Sequence, residues 1–302
     1  MHGRLENVTI VILGSGYLGD RIARTALRVG RPVRVCARST SRLAPLGALG
    51  AEVKYVDAAV PKQLTSALAS MHGALVVYSV PPVTALPPGT AIRAAMQAAY
   101  GGGASCFIYF SSSGLYGDRP DDETWIDEDT PLAHDDRAMH NVQTDENAVA
   151  ACTFDRLRTV ILRLAPVYGP GRGVRERLRK GQYKLLEEGQ HAISRIHVDD
   201  VVRIVLAAEE RAPSRSLYMV ADDEPTTQLD YATWLCDRMG IPMPPSRQMY
   251  DGSAVAHRNR KIRNSRLKAA LGIELKYPSF RDGEAAIEAE LETGTMAGPD
   301  AK

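Results

Sequence analysis

Val8-Thr9-Ile10-Val11-Ile12-Leu13-Gly14-Ser15-Gly16-Tyr17-Leu18-Gly19-Asp20-Arg21-Ile22-Ala23 is an apolar, β-branched run that meets three glycines and then turns into a helical pattern. The spacing G-x-G-x-x-G between a strand and a helix reads as a dinucleotide-binding turn. The glycines divide the work. Gly14 permits the tight turn off the strand, Gly16 lets the backbone approach a pyrophosphate, and Gly19 lets the helix pack on the sheet. Tyr17 and Leu18 between them put backbone N–H groups at the helix N-terminus, which favours phosphate. A second strand, Pro32-Val33-Arg34-Val35-Cys36-Ala37, follows at the distance a βαβ unit requires.

The chain around this turn has 302 residues and 44% hydrophobic content, enough for a large core. Its net charge of +1 comes from 37 basic and 36 acidic residues mixed along the sequence, which argues against a nucleic-acid or membrane-surface partner. Apolar stretches such as Ala74 to Val80 are strand-sized, not membrane-spanning. No signal-peptide core precedes the first strand, so a cytoplasmic protein is expected. Cys36, Cys106, Cys152 and Cys236 lie far apart without a C-x-x-C pair, and are expected as buried reduced thiols with no metal site.

Strand candidates at Val8 to Leu13, Val33 to Ala37, Val53 to Val56, Ala74 to Val80, Cys106 to Ser111 and Val160 to Leu164 alternate with helical patterns. The helices are expected at Gly19 to Val29, Pro61 to Ser70, Thr90 to Tyr100 and His134 to Cys152. This alternation predicts an α/β fold: a Rossmann-type doubly wound parallel sheet with a smaller C-terminal substrate-binding part. Beyond Pro166 the pattern becomes irregular, with a basic helix around Val174 to Leu186 and strand-like pieces at Ile193 to Val198 and Ser216 to Val220. The expected division is a dinucleotide domain over 1–165, a substrate-binding part interleaved with the sheet over 166–292, and a tail over 293–302.

Four further segments carry a resemblance. They are Phe110-Ser111-Ser112-Ser113-Gly114-Leu115-Tyr116-Gly117, Leu162 to Gly171, Arg195-Ile196-His197-Val198-Asp199-Asp200-Val201, and the strand-ending Val56-Asp57. In order and spacing they resemble the extended short-chain dehydrogenase/reductase family, which contains nucleotide-sugar epimerases and dehydratases. The resemblance implies that Ser112 hydrogen-bonds the substrate oxygen, a role a hydroxyl at a strand's carboxyl end has the chemistry for. In a second reading, Ser111 to Ser113 satisfy only backbone groups of a tight loop. The resemblance also implies a homodimer built on the helices at Thr90 to Tyr100 and His134 to Cys152. Ala94, Ala95, Ala98 and Ala99 are small enough for close packing there, or for packing within the chain.

One departure bears on the chemistry. The family's general acid is a tyrosine followed four residues later by a lysine on one helix face, the lysine lowering the tyrosine pKa. Alignment on Glu146-Asn147-Ala148-Val149 puts Ala138 and Val142 at those two positions. The helix resembles an atypical subgroup that reads roughly R-x-x-A-E-x-x-V. Three substitutes for the acid stand open: His140, Tyr116, and Arg137 or a bound water. His140 is two residues past the missing tyrosine, about 200° round the helix unless the register slips to pair it with Thr144.

For the cofactor, the end of the second strand reads Ala37-Arg38-Ser39-Thr40-Ser41-Arg42, with no acid to hold ribose hydroxyls. Arg38, Ser39 and Arg42 suit a 2′-phosphate, so NADP is expected over NAD. The resemblance puts Asp57 at the adenine amino group and Ser79, Val80 and Pro81 near ribose and pyrophosphate. It puts Ser111, Pro166, Val167 and Tyr168 beside the nicotinamide, and makes His197-Val198-Asp199-Asp200 structural. Arg172 and Arg195 are candidates for an anionic substrate group. Two functions remain: an NADP(H)-dependent oxidoreductase or epimerase/dehydratase-like enzyme on a small carbonyl or hydroxyl substrate, or a silent nucleotide-binding sensor.

Overall fold

Strand β1 (Ile10–Leu13) is buried at every residue, as an unbroken apolar strand covered on both faces must be. The computed structural model describes residues 8–117, 125–133, 139–186, 188–247 and 259–292. The expected tail, and the start of the helix expected from His134, lie outside them. Parallel to β1 on one side run β2 (Val33–Ala37) and then β3 (Glu52–Tyr55), in the registers Ile10↔Val33 and Arg34↔Glu52. On the other side run β4 (Leu75–Tyr78) and then β5 (Cys106–Ser112), with Ile10↔Leu75 and Leu75↔Cys106. The chain order therefore reverses between β1 and β4, the place where doubly wound sheets bind ligands. The crossovers are α1 (Tyr17–Arg28), α2 (Ala44–Ala48), α3 (Pro61–Leu68) and α4 (Thr90–Gly101). Helix α1 buries Gly19, Ile22, Ala23 and Ala26, a single face at helical spacing.

The remaining elements used below are β6 (Trp125–Ile126), α5 (His140–Ala150), β7 (Arg158–Leu164), β8 (Val167–Tyr168), α6 (Val174–Arg179), β9 (Leu185–Leu186), β10 (Ala192–Ile193), β11 (Ile196–His197), α7 (Val198–Arg211), β12 (Ser216–Val220) and α8 (Gln228–Met239). The central sheet has seven strands in the order β12-β7-β5-β4-β1-β2-β3. The structure thus has the Rossmann-type α/β fold that the strand–helix alternation predicts.

The chain forms two compact units. The first comprises Met1–Ser112, Arg137–Arg163 and Val201–Tyr218, and the second Ser113–Asp136, Leu164–Asp200 and Met219–Lys302. The segments of the two units alternate along the chain. In the first, Ala95, Ala98 and Ala99 belong to the chain's own core and Ala94 packs against it. Arg31 there holds Glu209 through two hydrogen bonds of 2.8 and 2.9 Å, both residues buried.

The second unit has a core around Tyr168, Leu178, Tyr231, Leu235 and Phe280. Two sequence expectations are corrected in it. The basic helix ends at Arg179, because Gly181 takes φ +65° and breaks it, and Leu185–Leu186 becomes strand β9 against Ser246–Arg247. The piece at Ile193 to Val198 is not one strand: it splits into β10 and β11, and Val198 already opens α7. The Asp200 carboxylate accepts from the Lys276 and Tyr277 N–H groups at 2.7 and 2.8 Å, and His197 Nδ1 accepts from Asp199 N–H at 3.2 Å. These bonds give the His197 to Asp200 motif a structural role.

All four cysteines are free and buried, and burial pushes the Cys36 and Cys106 thiols up to about 12. Among the described residues no helix is long and apolar enough to cross a membrane, and no group of three or more His, Cys, Asp or Glu could hold a metal ion.

Candidate functional site

In the first unit the loops that leave the carboxyl ends of β1 to β5 share one edge of the sheet, because these strands are parallel. Gly14 leaves β1 with φ +90°, and its N–H donates to Cys36 O at 3.0 Å. A Cβ at Gly14 would stand 2.7 Å from the Ser79 carbonyl, and one at Gly19 would stand 2.9 Å from Ile12 Cγ2. A Cβ at Gly16 would meet nothing within 4 Å. The protein's own packing thus accounts for two of the three glycines and leaves Gly16 to something that approaches the backbone from outside. Gly16 is also the N-cap of α1, with no side-chain cap, so no side chain of the cap covers the first amides of the helix. Gly14, Gly16, Tyr17, Leu18 and Gly19 therefore form a cradle that fits a dinucleotide pyrophosphate.

Around it, Arg38, Ser39 and Arg42 are exposed beyond the end of β2. Neither arginine makes an ion pair within the described residues, while Ser39 Oγ lies 3.0 Å from Ser41 Oγ. Asp57 is partly buried after β3, and its Oδ1 accepts from Ala59 N–H at 2.9 Å, so part of the carboxylate shapes its own loop. Ser79 and Val80 are partly buried after β4 and Pro81 is exposed; the Ser79 N–H donates to Leu13 O at 2.8 Å, holding this loop beside Gly14.

At the end of β5 the serines divide by strand alternation. Ser111 is buried and its Oγ donates to Glu146 Oε2 at 2.5 Å, while Ser112 is half-buried. Glu146 also takes a two-pronged bond from Arg163, Nε to Oε2 at 3.0 Å and Nη2 to Oε1 at 2.5 Å, and both partners are buried. This cluster pins α5 to β5 and β7, and so sets the height of Ser112. Sequence reasoning used Glu146 only as an alignment mark and missed Arg163, although a cation inside the apolar run Val160 to Leu164 is a readable signal of a buried partner. Val142, one turn before Glu146, is partly buried, so no cation stands at that place. Asp145 accepts from Gly89 N–H at 3.0 Å, and burial holds its pKa above the usual carboxylate range.

Of the proposed acids, His140 is exposed as the first residue of α5, six residues before Glu146 and about 240° round the helix from it. The Thr144 hydroxyl donates to His140 O at 2.9 Å, which engages the slipped-register partner with the backbone. Arg137 and Ala138 lie outside the described residues. Tyr116, in the second unit, is 1% exposed and its hydroxyl donates to Asp127 O at 2.8 Å.

The second unit contains a cavity of about 410 Å³. Pro166, Val167 and Tyr168 line it, held by the parallel pairing of β8 with β11. Arg172, Arg195 and Tyr231 line it as well. Tyr231 is fully buried and donates its hydroxyl to Glu284, which Arg175 Nε also holds at 2.7 Å. The Arg195 guanidinium lies over the Tyr231 ring, 4.2 Å from the centroid.

The model of the NAD dependent epimerase/dehydratase family matches residues 10–221. A curated relative, the 3-diazoavenalumate denitrifying reductase of a Streptomyces species, is 26% identical over 91% of this chain and 98% of its own. A functionally unknown conserved protein from Silicibacter pomeroyi is similar over 94% of this chain and 99% of its own, with a TM-score of 0.79 and 28% identity. DesIV, the dTDP-glucose 4,6-dehydratase of Streptomyces venezuelae solved with NAD bound, aligns over 95% of this chain and 98% of its own, with a TM-score of 0.78 and 17% identity.

Proposed function

Because this chain belongs to the NAD dependent epimerase/dehydratase family, an NAD(P)-dependent group, we propose that it is an NADP(H)-dependent oxidoreductase acting on a small carbonyl or hydroxyl substrate. The observation that carries the cofactor part is the open space at Gly16 beside the two glycines that packing demands. A bound nicotinamide supplies or accepts the hydride. Ser112, at the end of β5, donates a hydrogen bond to the substrate oxygen and orients it. The curated relative is named a reductase, which favours the reductive direction.

The choice of NADP rests on Arg38 and Arg42, exposed guanidiniums without an ion pair in the described residues at the place where a 2′-phosphate would lie. Fluorescence titration with NADPH and with NADH tests it. Arg38→Ala is expected to weaken NADPH binding about tenfold, roughly 1.4 kcal/mol, and to leave NADH binding within about twofold. Equal loss for both cofactors would remove the 2′-phosphate assignment and leave NAD as the partner.

Turnover is tested by nicotinamide oxidation against a panel of small carbonyl compounds. Removing a hydrogen-bond donor to a developing oxyanion typically costs about 10²–10³ in kcat, so Ser112→Ala is expected to lose about a hundredfold. The same assay on His140→Ala measures whether the exposed imidazole takes part; unchanged turnover in both variants would overturn the catalytic assignment. A second reading, a cofactor-binding sensor, is favoured by Val142 at the family's lysine position. Tight NADPH binding without turnover of any compound would select it.

A further inference from the structure

Arg195 is 5% exposed, yet among the described residues its guanidinium makes one hydrogen bond, Nη1 to Ile193 O at 3.0 Å, and no ion pair, while its backbone carbonyl accepts from Asp222 N–H. A buried guanidinium without a carboxylate partner is costly, and such groups are normally paired. The other carboxylates nearby do not serve. Glu284 is taken by Arg175 and Tyr231. Asp222 is buried with Oδ1 unbonded and forms no ion pair with Arg195; burial raises its pKa well above the usual range, and the Arg195 charge and backbone N–H pull the other way. What remains in front of the guanidinium is the cavity, whose wall it forms together with Pro166, Val167, Tyr168 and Val174.

Resting on the reading of this chain as an oxidoreductase, we propose that the substrate is a small organic carboxylate with an apolar body, its carboxylate paired with Arg195 and its body packed on Val167, Tyr168 and Val174. The volume of about 410 Å³ lies in the range of small-molecule pockets. The planar guanidinium fork matches two carboxylate oxygens, and its carbon lies 4.2 Å from the centroid of the Tyr231 ring. One buried cation matches one negative charge. At the wall Arg172 and Arg177 are exposed, and Glu176 is paired with Arg179 and Lys180, which lower its pKa. The apolar walls at Val167, Tyr168 and Val174 suit the body of an organic carboxylate, and inorganic phosphate, which has no such body, is the competing anion in the test.

Calorimetric titration of the full chain with benzoate and cinnamate, their carboxamides, and inorganic phosphate tests this assignment. Cinnamate is expected to bind, with the amide at least tenfold weaker. Arg195→Met should lose at least tenfold in cinnamate affinity while NADPH binding stays within twofold. Arg195→Lys keeps the buried charge without the fork and should lose about fivefold, so the test survives should the methionine variant fail to fold. Equal binding of acid and amide, unchanged affinity in the folded variants, displacement of cinnamate by phosphate at lower concentration, or binding of neither acid would overturn the proposal. The NADPH titration on the same samples keeps the two readings apart, since loss of nicotinamide binding would remove the oxidoreductase whatever the acids do.

Discussion

Gly14→Ala is expected to destabilise the protein by about 2–5 kcal/mol, and Gly16→Ala by less than about 1 kcal/mol, although the two sit two residues apart in one motif. At Gly14 the backbone has φ +90° and an added methyl would stand 2.7 Å from the Ser79 carbonyl carbon and oxygen. A side chain at positive φ costs about 1–2 kcal/mol, and forced overpacking adds about 1–3 kcal/mol. The obstacle is backbone of the β4 exit, which cannot swing aside as a side chain would. At Gly16 φ is −83° and the methyl meets open space, so the fold is indifferent. The methyl would instead occupy the approach of the pyrophosphate, and NADPH affinity should fall about tenfold or more. Urea unfolding and cofactor titration on both variants measure the two effects. A stable Gly14→Ala, or a Gly16→Ala that binds NADPH as the wild type does, would break the division of labour on which the cofactor assignment stands.

The Glu146 cluster predicts the second large effect. Glu146→Ala leaves Arg163 buried with its two-pronged partner gone, and removing one member of a buried pair costs about 3–5 kcal/mol. That is a large part of the roughly 5–15 kcal/mol that holds a typical domain together. Replacing both charges, Glu146→Leu with Arg163→Met, should recover most of the loss, because the cost comes from the uncompensated charge more than from the missing bond. The Ser111 hydroxyl loses its acceptor in either case. The end of β5 loosens, and turnover through Ser112 should fall in the double variant even where stability returns. Unfolding midpoints for the three proteins decide this. A single variant as stable as the wild type would show that Arg163 finds solvent and that the cluster is not a structural anchor.

Strands β1, β2, β4, β5 and β7 were legible because each is a short apolar run bounded by a turn. The glycine spacing marked the turn between β1 and α1 that the structure shows. The basic run after Val174 misled for a physical reason: residues on both sides of Gly181 favour a helix, and only the glycine's positive φ, supported by the pairing of β9 with Ser246–Arg247, turns the chain. The cluster at Glu146 was half legible, since its three members lie 17 and 35 residues apart and no local pattern joins them.

By itself the sequence determined the alternation of strand and helix and the parallel sheet, because these follow from period and backbone freedom over a few neighbouring residues. The tertiary structure alone decided which charges are buried and with whom. It paired Glu146 with Arg163 and left Arg195 at the wall of a cavity with no ion pair among the described residues. It also left Gly16 open where Gly14 and Gly19 are closed. Burial and pairing depend on residues far apart in the chain meeting in space, and the energy of a charge depends on that meeting and not on its neighbours in sequence.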